Sequence, residues 1–325
     1  MKELKTMLSP YQKSDDRYSG LQMGSTLFLY ILLWILMALS LQVSYLLTLA
    51  LSIIAAGFLV RIFIFFHDCG HNSFFSSLPA NKIAGFFLGV LVFTPSLQWW
   101  HCHAIHHASS GNLDKRGIGD VDTMTVSEFR NSTPIKRAWY RFFRHPFTLL
   151  VLGPFFSFIV LQRLPLPPFG KKENLNVLWT NLAIVVLAAG ISLVIGFKAY
   201  LMIQLPVMLI AGAAGIWLFY VQHQFVGVYW ARKKDWDYIS SALLGASYYK
   251  LPRVLQYISG SIGFHQIHHL SPRIPNYRLA AAYHDNPVIQ EWSHAVGLWE
   301  SLHCARLKLW DEDKQQLVGF NNLQA

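Results

Sequence analysis

Two long apolar stretches decide what this chain can become. Residues 25–66 are apolar almost throughout, broken by the polar stretch Gln42 to Ser44 and carrying Arg61 near their end. A second stretch covers about residues 177–221, interrupted near Gly196 to Lys198 and containing Pro206. Each is long enough for two helices of about 20 residues joined by a tight turn, the length that crosses a bilayer. A membrane helix tolerates Pro206 as a kink. The chain therefore predicts two membrane hairpins, and its composition agrees: only 14% of its 325 residues are charged and 53% are hydrophobic, where a soluble domain carries about a quarter charged.

Two shorter apolar runs, about 82–98 and 147–162, do not declare themselves by hydropathy. The first contains Pro95 and ends in Trp99 and Trp100, and the second contains Gly153 and Pro154. Breakers with interfacial aromatics favour helices that enter and leave on one side or lie along the surface. The first apolar segment starts near Ser25, too late and too long for a secretory leader, and is read as the first span. No internal repeat or low-complexity tract is present. Arg163 to Lys172, with Pro165, Pro167, Pro168 and Gly170, predicts an exposed loop, and residues 1–325 are expected to form a single membrane domain.

The net charge is +10, from 27 Lys and Arg against 17 Asp and Glu. The basic residues fall between apolar runs, as Arg116, Arg130, Lys136, Arg137, Arg141 and Arg144, and again as Arg232, Lys233 and Lys234. That placement predicts cytoplasmic loops at a lipid surface and argues against nucleic acid; an acidic electron-transfer protein is a further candidate partner for it. Cys69, Cys102 and Cys304 are odd in number and irregular in spacing, so no disulfide framework is expected and a reducing compartment fits.

Nine of the 14 histidines lie in three short windows: His67 and His71; His101, His103, His106 and His107; His265, His268 and His269. Chance would place about 0.7 histidine there at the chain's average frequency. His67 and His71 stand at i and i+4, one turn apart on one helix face. His103, His106 and His107, like His265, His268 and His269, form HxxHH, whose members also share a face. His101 stands outside that spacing, and the isolated His145, His284, His294 and His303 carry no metal reading. Eight imidazoles are too many for one ion, and with few thiolates or carboxylates nearby they suit zinc, iron or copper. Two metals with open positions, and iron for dioxygen chemistry, are the expected occupants. A structural zinc site, or a metal-binding or transport protein, is the alternative from another class.

These windows resemble the three histidine boxes of the membrane fatty acid desaturase family. The likeness extends to the flanks, Ser110 to Asp120 with Thr123 to Val126, and Gly263 to Tyr277, which look like those of bacterial and plastid-type acyl-lipid desaturases acting at Δ12 or ω6 positions; it covers roughly residues 55–290. The resemblance implies an all-α integral membrane fold of four transmembrane helices with interfacial or re-entrant helices and a cytoplasmic cap. It also implies a di-iron site. Carried over residue by residue, the metal ligands are His67, His71, His103, His106, His107, His265, His268 and His269. His223 in Tyr220-Val-Gln-His223 matches the further histidine that lies between the second and third boxes. Asp122 stands where the subgroup pattern has an aromatic, and Phe219 where some acyl-CoA desaturases offer an asparagine.

The implied activity is cis desaturation of a lipid-linked acyl chain with dioxygen and two external electrons. Ferredoxin is the expected donor, ahead of a cytochrome b5-like protein; a hydroxylase or ketolase of the same superfamily is the alternative. Ligands of one cluster cannot be separated by the roughly 30 Å apolar layer, so the boxes must meet on one face. The excess of Lys and Arg makes that face cytoplasmic, with both termini inside and a bacterial plasma membrane as the expected location. Asp68, Asn112, Asp114 and Asp120 are candidates to orient imidazole N–H groups.

Overall fold

The computed structural model describes residues 2–165 and 169–321. Pro167 and Pro168 of the proline-rich stretch lie outside the described residues. Among the described residues, four helices are long and apolar enough to cross a membrane: Asp16–Ser40, Tyr45–Gly70, Lys171–Ile195 and Phe197–His223. They form the two expected hairpins, one turning at residues 41–44 and the other at Gly196, whose φ of +87° suits glycine. The first helix begins earlier than the apolar stretch because Asp15 caps it, accepting a hydrogen bond from the Tyr18 amide.

The chain is an integral membrane protein. Its outward residues, such as Phe28, Ile35, Leu193 and Val194, are large and exposed, whereas Ser19, Thr26, Ser40, Thr48 and Ser52 are buried between helices. Small and hydroxyl residues let membrane helices approach closely and bond across the seam; the Ser40 and Thr48 hydroxyls lie 2.8 Å apart. Arg61 faces the bundle interior, bonded to Thr26, Gln22 and the Tyr257 carbonyl, as an ionisable residue in such a helix must be.

The two ambiguous runs become bent pairs. Helices Leu78–Leu91 and Ser96–Ser109 meet at 102°, with Pro95 at the start of the second. Helix Pro134–Phe143 meets the run Thr148–Arg163 at 62°. That run is wound as π-turns over Thr148–Leu152 and Phe155–Val160. Pro154 between them has no N–H to give the preceding turn, and π-turns of this kind occur frequently at functional sites. Helix Pro134–Phe143 is amphipathic, exposing Ile135, Trp139 and Phe142 beside Lys136 and Arg141.

The second and fourth spanning helices pack together at the centre and end on the same face, where a cap assembles. The cap is helical apart from two small sheets: β1 (Tyr248–Lys250) runs parallel to β2 (Ala295–Gly297), and β3 (Leu309–Asp311) antiparallel to β4 (Gln316–Val318). Arg144 corrects one expectation. It does not face lipid with the other loop cations but is buried beneath the cap.

Candidate metal centre

Four elements bring the histidine windows together. His67 lies in the last turn of helix Tyr45–Gly70 and His71 caps its end. Helix Ser96–Ser109 carries the second window, helix His265–Leu270 the third, and His223 ends the fourth spanning helix. The second window is seated against the first by Trp100, whose indole donates to the Phe66 carbonyl at 3.1 Å. Its ring lies so close to Gly70 and Gly85 that a Cβ on either would come within 2.3 Å of it.

All nine expected ligands converge in two groups. One holds His67, His71, His103, His107 and His268, the other His106, His223, His265 and His269, and within each group the ligand atoms lie within 4.8 Å of one another. His101 belongs to neither: it is exposed and pairs with Glu173 at 3.4 Å. His145, His284, His294, His303 and the three cysteines are also outside both groups.

The nitrogen geometry asks for a cation. In the four-histidine group the Nε2 atoms form a closed ring: His106 to His223 3.2 Å, His223 to His265 3.0 Å, His265 to His269 3.1 Å and His269 to His106 3.3 Å. His106 donates its Nδ1–H to Asp120 at 2.6 Å and His223 its Nδ1–H to the Gly245 carbonyl at 3.1 Å. Their Nε2 atoms therefore carry lone pairs, which face each other with no proton between. The five-histidine group repeats the pattern, with His67 to His268 3.0 Å, His268 to His107 2.9 Å and His107 to His103 3.1 Å. His67 donates Nδ1–H to Asp68 at 3.0 Å, and His71 Nε2 is buried without a hydrogen-bond partner among the described residues.

Metal–imidazole bonds of about 2.1 Å would set neighbouring donors about 3.0 Å apart at octahedral angles and about 3.4 Å apart at tetrahedral ones. The observed neighbouring spacings, 2.9 to 3.3 Å, match those values to within about 0.1 Å, so the residues fit two metal ions. Burial holds His71, His103, His107, His265, His268 and His269 well below the usual imidazole pKa. They are therefore neutral, the form that binds metal.

Of the four candidates to orient imidazoles, two do so. Asp68 holds His67 and is itself fixed by the Asn276 amide at 2.7 Å and side chain at 2.9 Å; Asp120 holds His106. Asn112 instead accepts from the Asp114 amide, and Asp114 ties Arg232 and Lys233 at the surface. Sequence reasoning missed Asn276, the Gly245 carbonyl and Trp99, which stacks on His103 at 4.5 Å. Asn276 stood within the flank after the third box, whereas a backbone carbonyl leaves no signal in a sequence. Phe219 packs edgewise on His106 and against His223, and offers no ligand.

An apolar cavity of about 240 Å³ opens beside the cluster. His67, His103 and His265 line one end, so it touches both groups, and it runs between the second and fourth spanning helices past Phe158 and Gly215 to Leu59 and Met208.

The fatty acid desaturase family model matches residues 43–295. The chain belongs to that family, and so to the oxidoreductases. Among its relatives, a fatty acid desaturase of Bacillus subtilis is 44% identical over 323 residues, 99% of this chain and 92% of that protein. The sn-1 oleoyl-lipid 12-desaturase of Synechocystis is 27% identical over 69% of this chain and 64% of its own length. The chloroplastic sn-2 acyl-lipid omega-3 desaturase (ferredoxin) of Arabidopsis thaliana is 27% identical over 68% of this chain and 51% of its own.

Proposed function

We propose that the whole chain works as one desaturase unit that introduces a cis double bond into a lipid-linked fatty-acyl chain. The observation that carries this is the meeting of two all-imidazole groups with one apolar cavity. His67, His71, His103, His107 and His268 would hold one iron and His106, His223, His265 and His269 the other. Bound there, the irons supply the dioxygen-derived oxidant that an unactivated methylene requires and that side chains cannot provide. The balance is one acyl CH2–CH2 unit, dioxygen, two electrons and two protons going to one CH=CH and two waters.

The protein's own share is placement. Phe63, Trp99 and Phe158 wall the cavity and exclude water, so that one pair of carbons lies beside His67, His103 and His265. Asp68 and Asp120 hold their imidazoles with the lone pair turned inward. Ferredoxin is the proposed electron donor, in keeping with the name of the Arabidopsis relative. A bacterial plasma membrane with the cap on its cytoplasmic side accords with the Bacillus relative and with the Lys and Arg of helix Pro134–Phe143.

Expression in a host rich in oleoyl lipids, followed by fatty-acid analysis with double-bond location, tests the reading. New cis-unsaturated acyl chains in membrane lipid are expected. Hydroxylated or keto products would replace it with the oxygen-inserting alternative, and metal uptake with no oxygen-dependent product would remove the enzymatic reading.

A further inference from the structure

Arg144 has no place in the chemistry above, yet it is among the most completely enclosed large side chains of the cap, 1% exposed. Among the described residues no carboxylate forms an ion pair with it, although the more distant charge of the exposed Asp122 favours its cationic form. Its guanidinium donates to the Asp122 carbonyl at 2.5 Å, Thr123 Oγ1 at 3.2 Å, Gln224 Oε1 at 2.8 Å, the Tyr220 hydroxyl at 3.2 Å and the Leu307 carbonyl at 3.1 Å. Taking a guanidinium out of water against neutral acceptors is unfavourable unless its donors are used. Here the two terminal nitrogens of the planar fork join three segments that are far apart in sequence, while Nε is buried without a partner among the described residues.

Two of those segments hold the four-histidine group. Asp122 and Thr123 follow Asp120, the carboxylate that holds His106. Tyr220 and Gln224 bracket His223 on the fourth spanning helix, and Gln224 Nε2 closes the circuit by donating to Thr123 Oγ1 at 3.2 Å. The third segment, around Leu307, lies beyond the residues matched by the family model; the Tyr220 hydroxyl also donates to its carbonyl, at 2.8 Å. None of these bonds reaches the five-histidine group, whose supports are Asp68, Asn276 and Trp99.

We infer that Arg144 is a positioning residue for the four-histidine metal site alone, fixing the Asp120 loop that holds His106 and the His223 helix end relative to each other. The inference rests on the reading that each group holds one metal. A lysine at this position keeps the charge but cannot bridge three segments, so the two sites should separate in affinity.

The test is anaerobic titration of the metal-free full-length protein with iron(II), for wild type, Arg144→Lys, Gln224→Met and Thr123→Val. Wild type should take up two irons per chain. Arg144→Lys should keep one at wild-type affinity and bind the second about 10- to 100-fold more weakly, the range seen when supports of metal ligands are removed. Gln224→Met and Thr123→Val should weaken the same single site to a smaller degree. Two irons at unchanged affinity in Arg144→Lys, or parallel weakening of both, overturns the inference. If that variant does not fold, an unchanged second site in both Gln224→Met and Thr123→Val overturns it. Wild-type protein that does not take up two irons removes the two-metal reading and this inference with it.

Discussion

Asp120 Oδ1 lies 2.6 Å from Nδ1 of His106, and both side chains are almost wholly enclosed. The carboxylate fixes the tautomer that turns the His106 lone pair inward. Asp120→Asn is therefore expected to lower iron affinity and turnover about 10- to 100-fold. Asp114→Asn, which loosens only surface ties to Arg232 and Lys233, should do markedly less. Iron content and product formation at matched expression check the contrast.

His101 and His103 sit two residues apart with opposite fates. The first is exposed and the second enclosed among His67, His71 and His107. His101→Ala should retain most activity and His103→Ala should lose it. Equal loss in both would place the wrong histidine at the metal.

His223 belongs to no dense sequence window, yet its Nε2 lies within 3.2 Å of both His106 and His265. His223→Ala should abolish desaturation and remove one iron of two while the protein still inserts in membranes. His71→Ala should remove the other iron instead. Full iron content with near-normal turnover in His223→Ala would leave an eight-ligand centre.

How much of this was legible beforehand varies by level. Both hairpins could be read because a bilayer imposes a length that apolar runs display directly. The pairing of His67 with His71 also followed from spacing, since one turn of helix presents both to one ion. The division of the other windows did not. His103 and His107 go to one group and His106 to the other, while His268 parts from His265 and His269. Positions i, i+3 and i+4 share a face, and which edge of that face meets which metal depends on how His67 and His223 approach it. The burial of Arg144 was equally hidden, because its partners are mostly carbonyls and amides contributed by distant segments.

Sidedness follows from the helix ends. Single cysteines placed between 72 and 80 and between 108 and 115 should react with an impermeant reagent from the same side as both termini. A cysteine at Gly196 should react from the other. Opposite labelling of the first two segments would break the four-span arrangement.

Gly215 faces the cavity, and nothing lies within 4 Å of where its Cβ would be. A side chain there fills space that an acyl chain would occupy. Gly215→Leu is expected to reduce conversion of longer acyl chains more than shorter ones, read from the chain-length distribution of the products. An unchanged distribution with normal expression would separate this position from the substrate path.

His67 and His268, whose nitrogens lie 3.0 Å apart, are separated by 201 positions along the chain. A ribosome feeding this protein into a bilayer releases the first hairpin long before the helix that completes either histidine group. Neither histidine group can be completed until synthesis has passed His268 and His269, so a chain truncated between Gln224 and His268 would have all four membrane helices and lack a complete cluster.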